Sequence, residues 1–229
     1  MPFLLTPQFH PDIIILSGYN FEPEMIDFHT TPCIAFMGTK AIASGDVRDV
    51  ALKAKAAIDS DKWAQVLIFD DITSALVEVD FRGSAADVLR RIDDQAASAR
   101  HASEPSQTEG ETRRPGRPKL GVVAREVTLL PRHWDWLASQ PGGASVTLRK
   151  LVEQARLANQ GRDRKRRAQE SAYRFLSAMA GNERGFEEAL RFLFAGKRKR
   201  FDQIIKPWPI DVREHAKKLA AAAFEGSDE

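Results

Sequence analysis

The 229-residue chain reads as an α+β protein: a small N-terminal ββαββα domain, a disordered linker, a compact strand-helix-turn-helix module and a C-terminal region of short helices. Three observations carry this reading. Residues 32–98 alternate short, turn-bounded apolar runs with helical periodicity, and residues 99–112 lose every apolar period. The charge is also divided. Residues 1–112 hold 9 basic and 18 acidic side chains, whereas residues 113–229 hold 25 and 14, so a net charge of +2 conceals halves of −9 and +11. Such a split points to one half meeting a polyanion and the other not.

Composition narrows the classes. With 43% hydrophobic and 29% charged residues, a globular, cytoplasmic chain is expected. No apolar run reaches bilayer length, so no membrane partner is expected. The start "MPFLLTPQFHPDIIILSG" lacks a basic segment, and Asp12 interrupts its apolar run, which argues against a secretory signal. One cysteine, Cys33, provides neither an internal disulfide framework nor a cysteine-based zinc site. There is no P-loop, dinucleotide fingerprint or nucleophile elbow. The expectation is a protein that is not an enzyme and uses no cofactor and no metal.

The elements follow in order. Residues 1–31, broken by Pro2, Pro7, Pro11 and Pro23, form an N-terminal extension. "CIAFMGTKAIASG" predicts a hairpin around Gly38-Thr39-Lys40. In "DVRDVALKAKAAID" Asp46 caps a helix whose Val47, Val50, Ala51, Ala54 and Ile58 share one face. "QVLIFDDITSALVEVDFRG" predicts a second hairpin, turning at Asp71–Ser74 and continuing with Leu76, Val77, Val79 and Phe81. Ser84 caps "SAADVLRRIDDQ", with Val88, Leu89 and Ile92 inward. The result is an acidic α+β domain over 32–98, its helices on one face of the sheet, with a protein or small ligand as its partner. Asp70, Asp71 and Asp80 could hold a metal or move protons. Asp70-Asp71 precedes a turn, however, where Asp is a favoured residue, and the turn reading is preferred. His10, His29 and His101 fall in loops without ligand spacing.

The linker, residues 99–121, runs through "ASARHASEPSQTEGET" and ends in "RRPGRPKLG". Pro115 and Pro118 favour extended backbone, and Gly116 permits close approach. A thin cationic strip of this kind suits a narrow minor groove. It resembles the AT-hook core, with Pro115 where the hook has an arginine. This GRP arm comprises Arg113, Arg114, Gly116, Arg117, Pro118 and Lys119. The alternative is a basic linker.

Beyond the arm, "REVTLLP" predicts a strand, with Val127 and Leu129 on one face and Glu126, Thr128 and Leu130 on the other. Pro131 opens a first helix carrying Trp134, Leu137 and Ala138. After "PGGAS", Ser145 caps a second helix with an inward stripe of Leu148, Leu151, Val152 and Ala155. The strand must pair, either with a second chain or with the edge of the N-terminal sheet. Trp134 and Trp136 belong to the core or to a dimer seam.

Residues 122–158 resemble the ribbon-helix-helix (MetJ/Arc-type) domain of bacterial DNA-binding proteins. The resemblance rests on "REVTLL", the helix through Leu137, and Gly143-x-Ser145-x-Thr147. It implies a homodimer whose paired strands enter the major groove, with Glu126 and Thr128 toward the bases and Arg125 near the end of the strand. Ser145 and Thr147 would sit beside a phosphate at a helix N-terminus.

Residues 159–229 form a basic helical region. "NQGRDRKRRAQE" is read as a basic connection, followed by a helix in "SAYRFLSAMAGN" ending at Gly181-Asn182. Another helix, "GFEEALRFLFAG", has Phe186, Leu190, Leu193 and Phe194 inward and Gly196 as its stop. "KRKR" then starts a further segment, and Pro207 and Pro209 precede the last helix. Residues 113–200 carry 21 basic and 8 acidic side chains, the footprint of a polyanion partner. The whole chain resembles an uncharacterised bacterial domain-of-unknown-function family, through "VLIFDD", "GRPKLGVVAREVTLLPRHWDWL", "GGAS…LRKLV" and "AYRFLSAMAG". The functional expectation is a nucleoid-associated DNA-binding protein or transcriptional regulator acting on duplex DNA as a homodimer. The alternatives are an antitoxin-like interaction scaffold and an RNA-binding protein.

Overall fold

The computed structural model describes residues 32–61, 63–103 and 125–226. Its elements are β1 (Cys33–Met37), β2 (Lys40–Gly45), α1 (Val47–Ser60), β3 (Val66–Asp70), α2 (Ala85–Ser103), α3 (Pro131–Ala138), α4 (Gly143–Met179), α5 (Phe186–Phe194), α6 (Arg198–Ile205) and α7 (Ile210–Ala220), with a closing 3-10 turn at Ala221–Phe224. The protein is mixed α+β and mostly helical.

The three strands form one antiparallel sheet in the order β2-β1-β3. The β1-β2 hairpin turns where expected, with Gly38 at φ +58°. The second hairpin does not form. After β3 the chain makes one isolated bridge, Phe69 to Leu76, and residues 77–80 lie outside any strand. The turn itself stands: Asp70 Oδ1 accepts from the Ile72 amide at 2.9 Å and the Thr73 amide at 2.6 Å. Ser74 occupies the left-handed region at φ +56°.

Both helix starts in this part of the chain are capped as expected. Asp46 Oδ1 accepts from the Arg48 amide at 2.8 Å. Ser84 and Asp87 form a reciprocal box, with the Asp87 amide donating to Ser84 Oγ (3.2 Å) and the Ser84 amide to Asp87 Oδ2 (3.0 Å). The Ser84 hydroxyl and, to a lesser degree, the Ser84 amide hold the Asp87 carboxyl below its usual range. α2 extends to Ser103, past the expected linker start at 99, so His101 lies in a helix and not in a loop.

The sheet is covered on both faces, not one. Cys33, Ala35, Ala43 and Ile68 pack with Val47, Val50, Ala51, Ala54, Val88 and Ile92 of α1 and α2. On the opposite face Phe36 and Phe69 join Ala172, Phe175 and Leu176 of α4, and this core continues into α5, α6 and α7 through Leu193, Phe201, Ile205 and Val212. The Phe36, Phe69 and Phe175 rings meet at centroid distances of 5.4–6.2 Å. The short run "CIAFM" lacks polar alternation because it is a strand buried on both sides. The expected acidic domain and the expected C-terminal region therefore share one core.

Hydrogen bonds seal this junction. Ser171 Oγ donates to the Ile72 carbonyl at 2.6 Å and lies 3.1 Å from Ser74 Oγ, and Arg174 donates to the Thr73 carbonyl. The Ala41 amide donates to Asp211 Oδ2 at 2.9 Å. Lys218 pairs with Asp71, and His215 Nδ1 stands 3.7 Å from Asp71 Oδ1.

α4 replaces the expected connection at 159–170 with helix and passes through the expected boundary at 158/159 without a break. It runs unbroken for 37 residues, about 55 Å. The polar stretch stays helical because it contains no proline and sustains itself with pairs one turn apart: Glu153–Arg156, Asp163–Arg166 and Arg166–Glu170. Only its second half joins the core, through Ser171, Ala172, Phe175 and Leu176.

Candidate nucleic-acid interface

The first half of α4 and the short α3 form a helical hairpin projecting from the core. Pro131 occupies the first turn of α3, as expected. Gly142, at φ +89°, precedes α4, and a Cβ there would meet Val146 at 3.2 Å. The helix thus begins at Gly143, and Ser145 is an exposed first-turn residue instead of its cap. No acidic side chain lies in that turn, which leaves the positive end of the helix dipole uncompensated. Thr147 follows, half-buried.

Residues 125–130 precede α3 without forming a strand. Among the described residues, no backbone-to-backbone hydrogen bond engages residues 125–129. Arg125, Glu126 and Thr128 are exposed. The strand expected here pairs neither with β2 nor with β3, since the sheet contains β2, β1 and β3 alone among the described residues. The arm residues Arg113, Arg114, Gly116, Arg117, Pro118 and Lys119 lie outside the described residues.

The hairpin is apolar where solvent meets it. Leu137 is buried, but Val127 is 57% exposed, Val152 64% and Leu157 57%; Leu130, Trp134, Trp136 and Leu151 are exposed as well. The inward stripe expected on α4 therefore faces water in the single chain, Leu148 alone being half-buried among its large members. Scattered surface leucines are ordinary, but this many large apolar side chains exposed on one small hairpin make it the candidate interface.

The other candidate groups serve the fold. Asp70 is buried within its turn, and Asp80 is held below the usual carboxylate range by hydrogen bonds from Arg82. Burial pushes the Cys33 thiol up to about 12, with Asp70, Asp46 and Asp71 adding to it. His215, missed in the sequence because it has no spaced partner, is buried against Phe36 and Phe175; burial lowers its pKa to about 4. It lines a shallow cleft between β2 and α7 with Asp71, Asp211 and Lys218. Among the described residues no group of three or more His, Cys, Asp or Glu side chains is arranged to hold a metal. No helix among them is long and apolar enough to cross a membrane.

These features define a mixed α+β protein, its sheet packed on both faces, that carries a projecting, partly apolar helical hairpin. Residues 32–220 match the family described as "Uncharacterized protein conserved in bacteria (DUF2239)", and the chain belongs to that family. No curated protein and no solved structure matches it.

Proposed function

We propose that the protein is a bacterial DNA-binding homodimer, a transcriptional regulator or nucleoid-associated protein, in which residues 122–158 of two chains form a ribbon-helix-helix unit. The observation that carries this reading is the coincidence of backbone at 125–129 that has no backbone partner among the described residues with the exposed Val127, Leu130, Trp134, Trp136, Leu151 and Val152. The exposed apolar side chains are costly in water, and the backbone beside them, solvated in the single chain, is open to pairing. A second copy uses both: its strand supplies ladder partners, and its hairpin covers the apolar stripe, at about 1 kcal/mol or more for each large side chain removed from water.

In that dimer Thr128 and Glu126 face the bases, Glu126 accepting from cytosine N4. Arg125 lies near the end of the ribbon. Ser145, Thr147 and the amides at the start of α4 hold a backbone phosphate. Residues 113–119 act as a minor-groove arm, with Arg117 in the groove, Pro115 and Pro118 keeping the strip extended, and Arg114 and Lys119 on flanking phosphates. The cleft beside His215 supports a small-ligand or protein partner for the N-terminal sheet. Glu126 favours a second reading: a carboxylate on the ribbon repels phosphate, as suits a scaffold that only dimerises. RNA as the polyanion fits the same excess of charge.

Chromatin immunoprecipitation with sequencing tests the function. Discrete peaks support a regulator, and broad A·T-rich coverage supports a nucleoid protein. No enrichment over an untagged control overturns the DNA reading.

A further inference from the structure

Two basic runs about thirty residues apart in sequence flank one tertiary contact. Gln169 Nε2, on α4, donates to the Leu193 and Phe194 carbonyls at the end of α5, both at 3.2 Å. The Tyr173 ring packs on Phe194 with centroids 6.1 Å apart. α5 then ends in a Schellman turn, the Gly196 amide donating to the Leu193 carbonyl (3.2 Å) and the Lys197 amide to the Phe192 carbonyl (2.9 Å). That turn delivers Lys197, Arg198, Lys199 and Arg200, all exposed, immediately beyond the Gln169 clasp. On α4, Arg162, Lys165 and Arg166 precede Gln169 by seven, four and three residues, so they share its stripe and lie on the same side.

Seven cations thus flank the clasp, three within two helical turns of Gln169 and four within six residues of Phe194, all exposed but the half-buried Lys165. Acidic groups that pair with them include Asp163 and Glu170 beside Arg166, and Asp202 beside Arg198. These contacts are 3.2–3.8 Å apart and solvent-exposed, and such pairs contribute little and exchange readily for a phosphate. The surface lies 17 to 21 residues along α4 from Ser145, about 25–30 Å, and this is the span of roughly eight nucleotides of backbone.

We propose that Arg162, Lys165 and Arg166 of α4, together with Lys197–Arg200 at the start of α6, form a second phosphate-binding surface for the backbone of duplex DNA, separate from the hairpin. The inference rests on the DNA reading and deepens it. The hairpin and its arm would carry any sequence preference, and this surface adds sequence-independent affinity, because phosphate contacts position a protein without reading bases. In a dimer the two copies of the surface extend the contact beyond the paired strands.

The test is the salt dependence of binding to a duplex of about 30 base pairs, roughly 100 Å long and so able to reach both surfaces, read by fluorescence anisotropy on the full chain. Three proteins are compared: wild type, a variant with Lys197, Arg198, Lys199 and Arg200 all changed to Gln, and Val127→Pro. Glutamine retains helix propensity, and an unchanged circular dichroism melt verifies the fold. The slope of log affinity against log salt should become shallower by about 2–4 in the glutamine variant, near 0.9 for each phosphate that the surface ceases to neutralise, with the effect equal on A·T-rich and G·C-rich duplexes. A glutamine variant that matches wild type in slope and affinity while Val127→Pro loses binding overturns this inference and leaves the ribbon standing. The reverse pattern supports the surface and removes the ribbon. Binding to single-stranded RNA with none to duplex DNA at low salt overturns both.

Discussion

The two ends of α4 live in different environments. From Ala168 onward the helix is clamped by the sheet, α5 and α7, and Ala172, Phe175 and Leu176 are wholly buried. From Gly143 to Gln160 the same helix carries Leu151, Val152 and Leu157 in solvent. Both ends contain apolar residues at helical spacing, but only one is covered by other described residues. The difference teaches that periodicity identifies the face a helix must bury, while the identity of what covers it belongs to the tertiary or quaternary contact.

Substitutions at the two ends should separate sharply. Phe175→Ala removes a ring that touches Phe36, Phe69 and His215, and should cost about 3–5 kcal/mol in a denaturant melt. A drop below about 1 kcal/mol would mean that the sheet and the C-terminal helices do not share a core.

Acid should act on the same end. Burial lowers the His215 pKa to about 4, against 6.5 for the unhindered group, so the folded state favours the neutral ring. Stability is complete above about pH 6.5 and declines as pH falls toward 4, by at most about 3 kcal/mol from this one group. His215→Phe should flatten that part of the curve of stability against pH; an unchanged slope would place the titration elsewhere.

At the exposed end, Val152→Asp should leave the melt of the core within about 0.5 kcal/mol of wild type. It should weaken self-association at least about tenfold (about 1.4 kcal/mol), because a carboxylate would enter an apolar seam. Unaltered self-association would remove the stripe from the interface. The smallest effect concerns the arm. Arg117→Ala should lower affinity a few-fold more on A·T-rich than on G·C-rich duplexes, whereas Lys119→Ala should lower both alike. Equal effects of Arg117→Ala on the two duplexes would reduce the strip to a basic linker.

Much of the N-terminal fold was legible because local chemistry decides it: Asp46 and Ser84 as caps, Gly38 in its turn, the Asp70 turn, and, further along, Gly196 as the stop of α5. The failures share a cause. The strand expected after Ser74 yields to contacts from afar, since Ser171 and Arg174 grip residues 72–74 and Arg91 donates to the Asp80 carbonyl. The continuity of α4 was hidden because a solvated helix needs no apolar period. The convergence of the two basic runs depends on Gln169, whose partners are backbone carbonyls that no side-chain pattern reveals. Of the hairpin, the helices and the Pro131 start were legible, but that residues 125–130 find no ladder partner among the described residues became visible only with the sheet complete.

The claim on which the rest depends is that residues 125–158 are half of a unit. Sedimentation equilibrium of the full chain at micromolar concentration and moderate salt measures this directly. The expected result is a mass twice the 25.6 kDa of one chain for wild type, and a single-chain mass for Val127→Pro, which removes a ladder donor from the ribbon. A wild-type mass of 25.6 kDa across that range would contradict it.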